Sequence, residues 1–369
     1  MRSAAKRGQH TLRIQLEKSR LVALRRSRRS PHPAQVRHPP PTGEGCFILN
    51  AIAPLNWRKD KNVNPAYSVI LFTTASGAGY GLLSMLALAG ASHGRASTQA
   101  FAFTSLFIAL ALITTGLLSS TLHLGRPERA WRAFSQWRSS WLSREGVAAI
   151  ITYPIALAFG ACWSGLIDAP AFIAPLGYAT AIMCLITVFC TGKIYSSLKT
   201  IRAWNNPLVV PVYIAFALAT GAVLTAAIAT FFGRFVVFQA ILALVAIVFC
   251  IILKFVYWQK LDNAKRTHTM AAATGLGEGV RQWEVPHTSM NYIMKEMGYV
   301  VGRRHARRLR LVTLFFLNIS FLLMYLSTNW SWLTYFAVPT MMLAAWVERW
   351  LFFAEAEHVV GLFYGKQSA

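Results

Sequence analysis

From residue 67 onward the chain alternates long apolar runs with short polar ones. Eight runs reach spanning length, at 67–89, 100–121, 147–166, 173–190, 209–231, 235–257, 311–326 and 332–353, each near the ~20 residues that cross a hydrocarbon core. The pattern predicts an all-α fold, a polytopic membrane bundle of eight transmembrane helices. Small residues interrupt the runs (Ser76, Gly77, Gly79 and Gly81; Gly160 and Ala161; Gly221), and in lipid such residues let helix backbones approach closely. Trp330, Trp332, Trp346 and Trp350 fall toward the ends of the last run, where an interfacial aromatic belt is expected.

Composition supports lipid as the main solvent: 55% of the 369 residues are hydrophobic and 14% charged, more apolar surface than a water-soluble globule could bury. The net charge of +24 would in a soluble protein suggest nucleic acid. Here the charges lie between apolar runs, where basic loops set topology and meet anionic headgroups, so the lipid bilayer is the expected partner and nucleic acid is not. Residues 1–62 differ from the rest, with 14 Lys and Arg against three acids and a proline-rich stretch. They are expected to form a basic disordered extension ahead of an anchor domain at 63–369. Val63 is a candidate alternative start, since a GTG codon inside an over-extended reading frame would be translated as valine.

Lys and Arg number 5 in 123–146, 3 in 191–208 and 10 in 258–310, against 1, 0, 1 and 0 in the four alternate connections. The positive-inside rule alone puts both termini and the three basic loops in the cytoplasm. The five cysteines (Cys46, Cys162, Cys184, Cys190, Cys250) are scattered, with no C-x-x-C pair. They cannot by themselves build a zinc site or an iron–sulfur cluster. Redox chemistry would therefore need a partner or a bound organic carrier.

The connection HLGRPERAWRAFSQWRSSWLSREG, residues 123–146, is the most informative stretch. It holds His123 at a helix end, five arginines including Arg126, three tryptophans (Trp131, Trp137, Trp141) and Glu145 opening the next run. A quinone site needs hydrogen-bond donors, an aromatic slot for the ring and a proton-exchanging pair near water. The same composition also fits a plain membrane interface. Ser143 reads as an N-cap, which would put Glu145 in the first turn of the third helix, either as a functional carboxylate or as part of the cap. No second histidine lies at matching depth in another run, which disfavours bis-histidine heme. Glu348 and Arg349 adjoin inside the last run and read as a structural ion pair to another helix.

Three segments, VNPAYSVILFTTASGAGYGLL (63–83), the 123–146 connection and TGKIYSSLKTIRAWNNP (191–207), resemble the DmsC-type anchor subunit of dimethyl sulfoxide reductase. The resemblance runs from residue 63 to the end of the chain. It implies an eight-helix, heme-free subunit without its own iron–sulfur cluster, in the bacterial inner membrane. Such a subunit holds a molybdopterin catalytic subunit and a four-cluster iron–sulfur subunit and exchanges electrons with menaquinol. The family's quinol-linked histidine and glutamate fall on His123 and Glu145, while Arg126 joins them on grounds of charge, with Trp131 and Trp141 as the aromatic slot. The resemblance puts the His123 loop on the periplasmic side together with the termini, opposite to the charge count.

Anchors of this kind also serve complexes with other substrates, among them a sulfite dehydrogenase that passes electrons into quinone. A secondary transporter is a further reading, but it should carry polar groups at mid-depth in several spans and discontinuous helices, whereas the ionisable residues here read as clustered at span ends. A stand-alone enzyme should show an H-E-x-x-H motif or a nucleophile with its base, and the sequence has neither.

Overall fold

The computed structural model describes residues 67–121, 127–264, 268–277, 280, 283 and 305–363. The expected extension at 1–62, the candidate start at Val63, and His123 and Arg126 of the predicted site lie outside the described residues. Among the described residues the chain is helical, with no strand and one isolated bridge between Ile201 and His358. The long helices are α1 (Tyr67–His93), α2 (Gln99–Ser119), α3 (Trp141–Trp163), α4 (Ile173–Ser196), α5 (Val209–Phe231), α6 (Val237–Asn263), α8 (Ala306–Leu326) and α9 (Thr334–Ala354); a short helix, α7 (Met270–Thr274), lies between α6 and α8. Seven are long and apolar enough to cross a membrane, namely α1 to α6 and α8. The expectation of eight spans is thus met at seven. The last, α9, has 21 residues but carries Glu348 and Arg349.

Helix ends follow local side-chain chemistry. Thr98 caps α2 by accepting from the Phe101 N–H, and Ser140 caps α3 by accepting from the Ser143 N–H at 3.5 Å. The α3 cap is therefore Ser140, not Ser143, and Glu145 lies in the second turn, beyond the donors that a cap satisfies. α6 continues past its apolar run to Asn263. Its last turns stay helical because Tyr257 and Trp258 face inward and are buried, while Gln259 and Lys260 are exposed.

Successive long helices alternate in direction, and contacts at the two ends bear this out. At one end Arg95 pairs with Asp168 and the Ala96 N–H donates to the Trp163 carbonyl, while Thr334 donates to Thr230. At the other, Trp204 donates to the Phe352 carbonyl (3.1 Å), Tyr257 to the Ala203 carbonyl (2.9 Å), and the Val359 N–H to the Thr200 carbonyl (3.1 Å).

α1 and α5 occupy the interior and are mostly buried, whereas α8 is mostly exposed. The two inner helices meet backbone to backbone. A Cβ on Gly81 would lie 1.7 Å from the Ala217 carbonyl oxygen, and one on Gly221 would lie 2.1 Å from the Gly81 carbonyl carbon. Only glycine allows that approach. Gly79 and Gly160 likewise abut Ile113 and Leu106, as expected of close-packing residues. Gly77 departs from the expectation, since a Cβ there would meet nothing within 4 Å. Of the tryptophan belt, Trp330 and Trp332 are exposed, but Trp346 and Trp350 turn toward the core instead.

Candidate functional site

α3 and α4 together position the first of two buried carboxylates among the described residues. Glu145, 4% exposed, points at α4 and accepts a short hydrogen bond from the Thr191 hydroxyl. Thr152 and Thr187 form a second polar rung between these helices, their hydroxyls 3.4 Å apart. Thr191 is well suited to this position because its one hydroxyl hydrogen can go either to Glu145 or to the Thr187 carbonyl of its own helix, 3.1 Å away, so the buried donor stays paired in either case. No cation among the described residues pairs with Glu145. Its neighbour Arg144 turns away and donates to the Trp137 (3.0 Å) and Arg138 (2.6 Å) carbonyls.

Trp141 opens α3 next to this group. Arg144 lies over its ring at 4.3 Å and Lys193 at 5.7 Å, and Phe189 meets it edge-on at 6.0 Å. Cationic groups on an indole face of this kind are favourable where the ring borders water. Trp131 is not drawn into the same cluster: its ring is 65% exposed and its cationic neighbour is Arg132 at 5.6 Å. The segment that bears it, a 3-10 helix at Pro127–Gln136, is tied to α3 through Phe134, whose ring lies where a Cβ on Gly146 would be, 2.6 Å away. Of the five predicted site residues, Glu145 and Trp141 therefore share one end of α3, Trp131 stands apart on the surface, and His123 and Arg126 are outside the described residues.

The second carboxylate, Glu348 of α9, is fully buried and held by two cations. Lys254 of α6 donates to Oε1 at 2.8 Å, and Arg349 Nε lies 3.1 Å from Oε2. This is the interhelix ion pair the sequence suggested, with Lys254 as the partner that sequence reading missed. Lys254 also sits over Tyr257 (4.3 Å) and Trp258 (4.6 Å), and Arg349 over Tyr213 (3.6 Å). These ionisable groups lie inside α6 and α9, not only at span ends as the sequence reading held. Toward the aqueous end, Arg310 bridges Asp262 (2.6 Å) and Glu355 (2.7 Å). Burial pushes the Glu355 carboxyl above its ordinary pKa, with Arg310 pulling the other way.

Between α1, α4, α5 and α9 lies a cavity of about 20 Å³, lined by Thr73, Thr74, Gly77, Thr191, Tyr213 and Arg349 among others. Nothing in the sequence marked it, because its polar groups come from four helices spread along the chain. Cys162, Cys184, Cys190 and Cys250 are free and buried on α3, α4 and α6.

Among the described residues, then, seven helices are long and apolar enough to cross a membrane, and a buried carboxylate lies beside an aromatic helix end. The DMSO reductase anchor subunit (DmsC) family matches residues 61–365. A sulfite dehydrogenase subunit of Allochromatium vinosum is 32% identical over 326 residues, covering 82% of this chain and 99% of that protein. Such an anchor is a multi-pass membrane subunit of an oxidoreductase complex, associated with catalytic and electron-transfer subunits. On the extent of the match this chain belongs to the DmsC family of dimethyl sulfoxide reductase anchor subunits.

Proposed function

We propose that the chain is the quinone-exchanging anchor of a molybdopterin and iron–sulfur oxidoreductase complex in a bacterial inner membrane, with Glu145 as its proton-exchanging group. The observation that carries this is a buried carboxylate whose partner is a hydroxyl and not a cation. Such a group can take or give a proton without breaking an ion pair.

The residues fit a quinone headgroup: a buried carboxylate near the end of α3, an aromatic wall from Trp141 and Phe189, and cations of Arg144 and Lys193 at its rim. Bound menaquinol would supply electrons and protons together. Glu145 accepts a proton at its carboxylate, Thr191 keeps that carboxylate oriented, and Trp141 with Phe189 limits water. His123 and Arg126 are proposed as the second hydrogen-bonding side, with Trp131 at the outer edge. Electrons pass to a four-cluster iron–sulfur subunit and on to a molybdopterin catalytic subunit, with no heme or cluster in this chain. α9 is proposed as an eighth span, its charges neutralised inside the bundle, which puts the ends of the helical domain on one side of the membrane.

The relative named as part of a sulfite dehydrogenase favours a second reading, in which the same site reduces quinone with electrons from sulfite. Purified complex given either menaquinol and dimethyl sulfoxide, or quinone and sulfite, separates the two. Quinol- or quinone-linked turnover that survives both Glu145→Gln and His123→Ala, measured against a soluble artificial electron carrier, overturns the site.

A further inference from the structure

The cavity among α1, α4, α5 and α9 borders both buried carboxylate systems. Thr191, which lines it, donates to Glu145 on its other side. Arg349, which also lines it, is bound through Nε to Glu348. Three buried polar atoms of lining residues make no well-aligned hydrogen bond to protein: Thr74 Oγ1, Tyr213 Oη and Arg349 Nη1, the guanidinium of the last lying against the Tyr213 ring. Their residues are 5%, 4% and 2% exposed. Buried polar groups are nearly always hydrogen-bonded, and a space of about 20 Å³ with several polar partners is enough for one water. Gly77 lines the same space, and a Cβ there would meet no other atom within 4 Å, so a larger side chain can be accommodated at that position.

We propose that this cavity binds a water through which Arg349 acts as the counter-cation of Glu145. Each hydrogen bond in the chain points the same way. Arg349 can only donate, so the water accepts from it; the water in turn donates to the Thr191 oxygen, whose hydrogen is already committed to Glu145. Chains that donate in one direction polarise each other, and this one delivers a permanent positive charge to a carboxylate that has no cation in direct contact. Arg349 is a positioning residue in this arrangement. The other ionisable groups around Glu145 among the described residues are Tyr80 of α1, Arg144 of α3, Cys190, Lys193 and Tyr195 of α4, and Tyr213 of α5. The two cations are engaged elsewhere: Arg144 donates to the Trp137 and Arg138 carbonyls, and Lys193 lies over the Trp141 and Phe189 rings. The inference rests on the reading of Glu145 as the proton-exchanging group.

The test uses the purified complex in lipid nanodiscs, with Gly77→Val to displace the water and Gly77→Ala as the milder variant that keeps the fold. Hydroxyl-radical labelling by X-ray radiolysis modifies buried side chains next to bound water. Tyr213 should label in the parent and severalfold less in Gly77→Val, with Gly77→Ala between them. An unlabelled Tyr213 in the parent overturns the water site. In infrared spectra at neutral pH, the band of the protonated Glu145 carboxyl, assigned by its loss in Glu145→Gln, should grow in Gly77→Val as the anion loses its counter-charge. A band that stays the same while Tyr213 labelling is lost overturns the link to Arg349. Both measurements are made without quinone, so failure of the quinone reading would appear separately, as unimpaired quinone-linked turnover in Glu145→Gln.

Discussion

Glu145 and Glu348 are both buried between long helices, yet one meets a hydroxyl and the other two cations. The Glu348 cluster is a fixed electrostatic joint between α6 and α9. Its carboxylate is paired with two cations, and moving any proton within it would leave a charge stranded in a poorly polarisable interior. Glu145 has no cation in direct contact among the described residues, so a proton can reach or leave it without breaking an ion pair. Burial alone does not separate a structural carboxylate from a functional one. The identity of the partner does.

The largest effect expected from this contrast is on stability. Glu348→Ala should lower unfolding stability by about 3–5 kcal/mol, because Lys254 and Arg349 are left buried and unpaired. Thermal unfolding in detergent measures it, and adding Lys254→Met should recover part of the loss. Glu145→Gln should do the reverse. The amide still accepts from Thr191, so stability should change by no more than about 1 kcal/mol. Quinone-linked turnover should fall by about a hundredfold, and equal turnover in parent and variant would erase the distinction. Thr191→Val lies between them, with a stability loss of about 1–3 kcal/mol for a carboxylate left without its donor and a smaller fall in turnover than Glu145→Gln.

The smallest effect involves His358, beyond α9. Burial lowers its imidazole pKa below the ordinary 6.5, and its Nδ1 accepts from the Val360 N–H at 3.0 Å. The folded-state value lies below the unfolded one, so the neutral ring's contribution is present above pH 6.5 and is lost as pH falls through the lower folded value. Melting temperature should decline slightly on acidification from pH 7, and less so in His358→Asn.

The helices were legible because lipid imposes a simple rule: apolar runs of spanning length and nothing else. The predicted runs and the observed helices agree closely, and where they part, as at α6, the helix outlasts its apolar stretch by keeping Tyr257 and Trp258 inward. The cap of α3 was misread because Ser140 and Ser143 are equivalent by residue type, and the backbone geometry that selects Ser140 is not written in the pattern. Glu145 could be singled out as a costly carboxylate. Thr191 could not be matched to it, since a threonine in a helix ordinarily bonds its own turn. Lys254 stayed hidden inside a strongly apolar run, its partner 94 residues away. The cavity was least legible, since its lining is gathered from four helices that only the folded bundle brings together.

The contact between Gly81 and Gly221 bears on how the protein is made. Among the described helices α1 is synthesised first, and it is the least apolar of the seven candidate spans. Its glycine, serine and threonine face fits α2, α4 and α5, and the last of these is not yet translated when α1 leaves the ribosome. Order of synthesis and order of packing therefore disagree. Until α5 arrives, α1 must be held in the bilayer with its most polar face unmet, by the insertion machinery or by its neighbour α2. The tightest joint in the finished bundle thus cannot close until α5 has been made, and a defect there would be seen first as failed insertion, before any loss of activity could be measured.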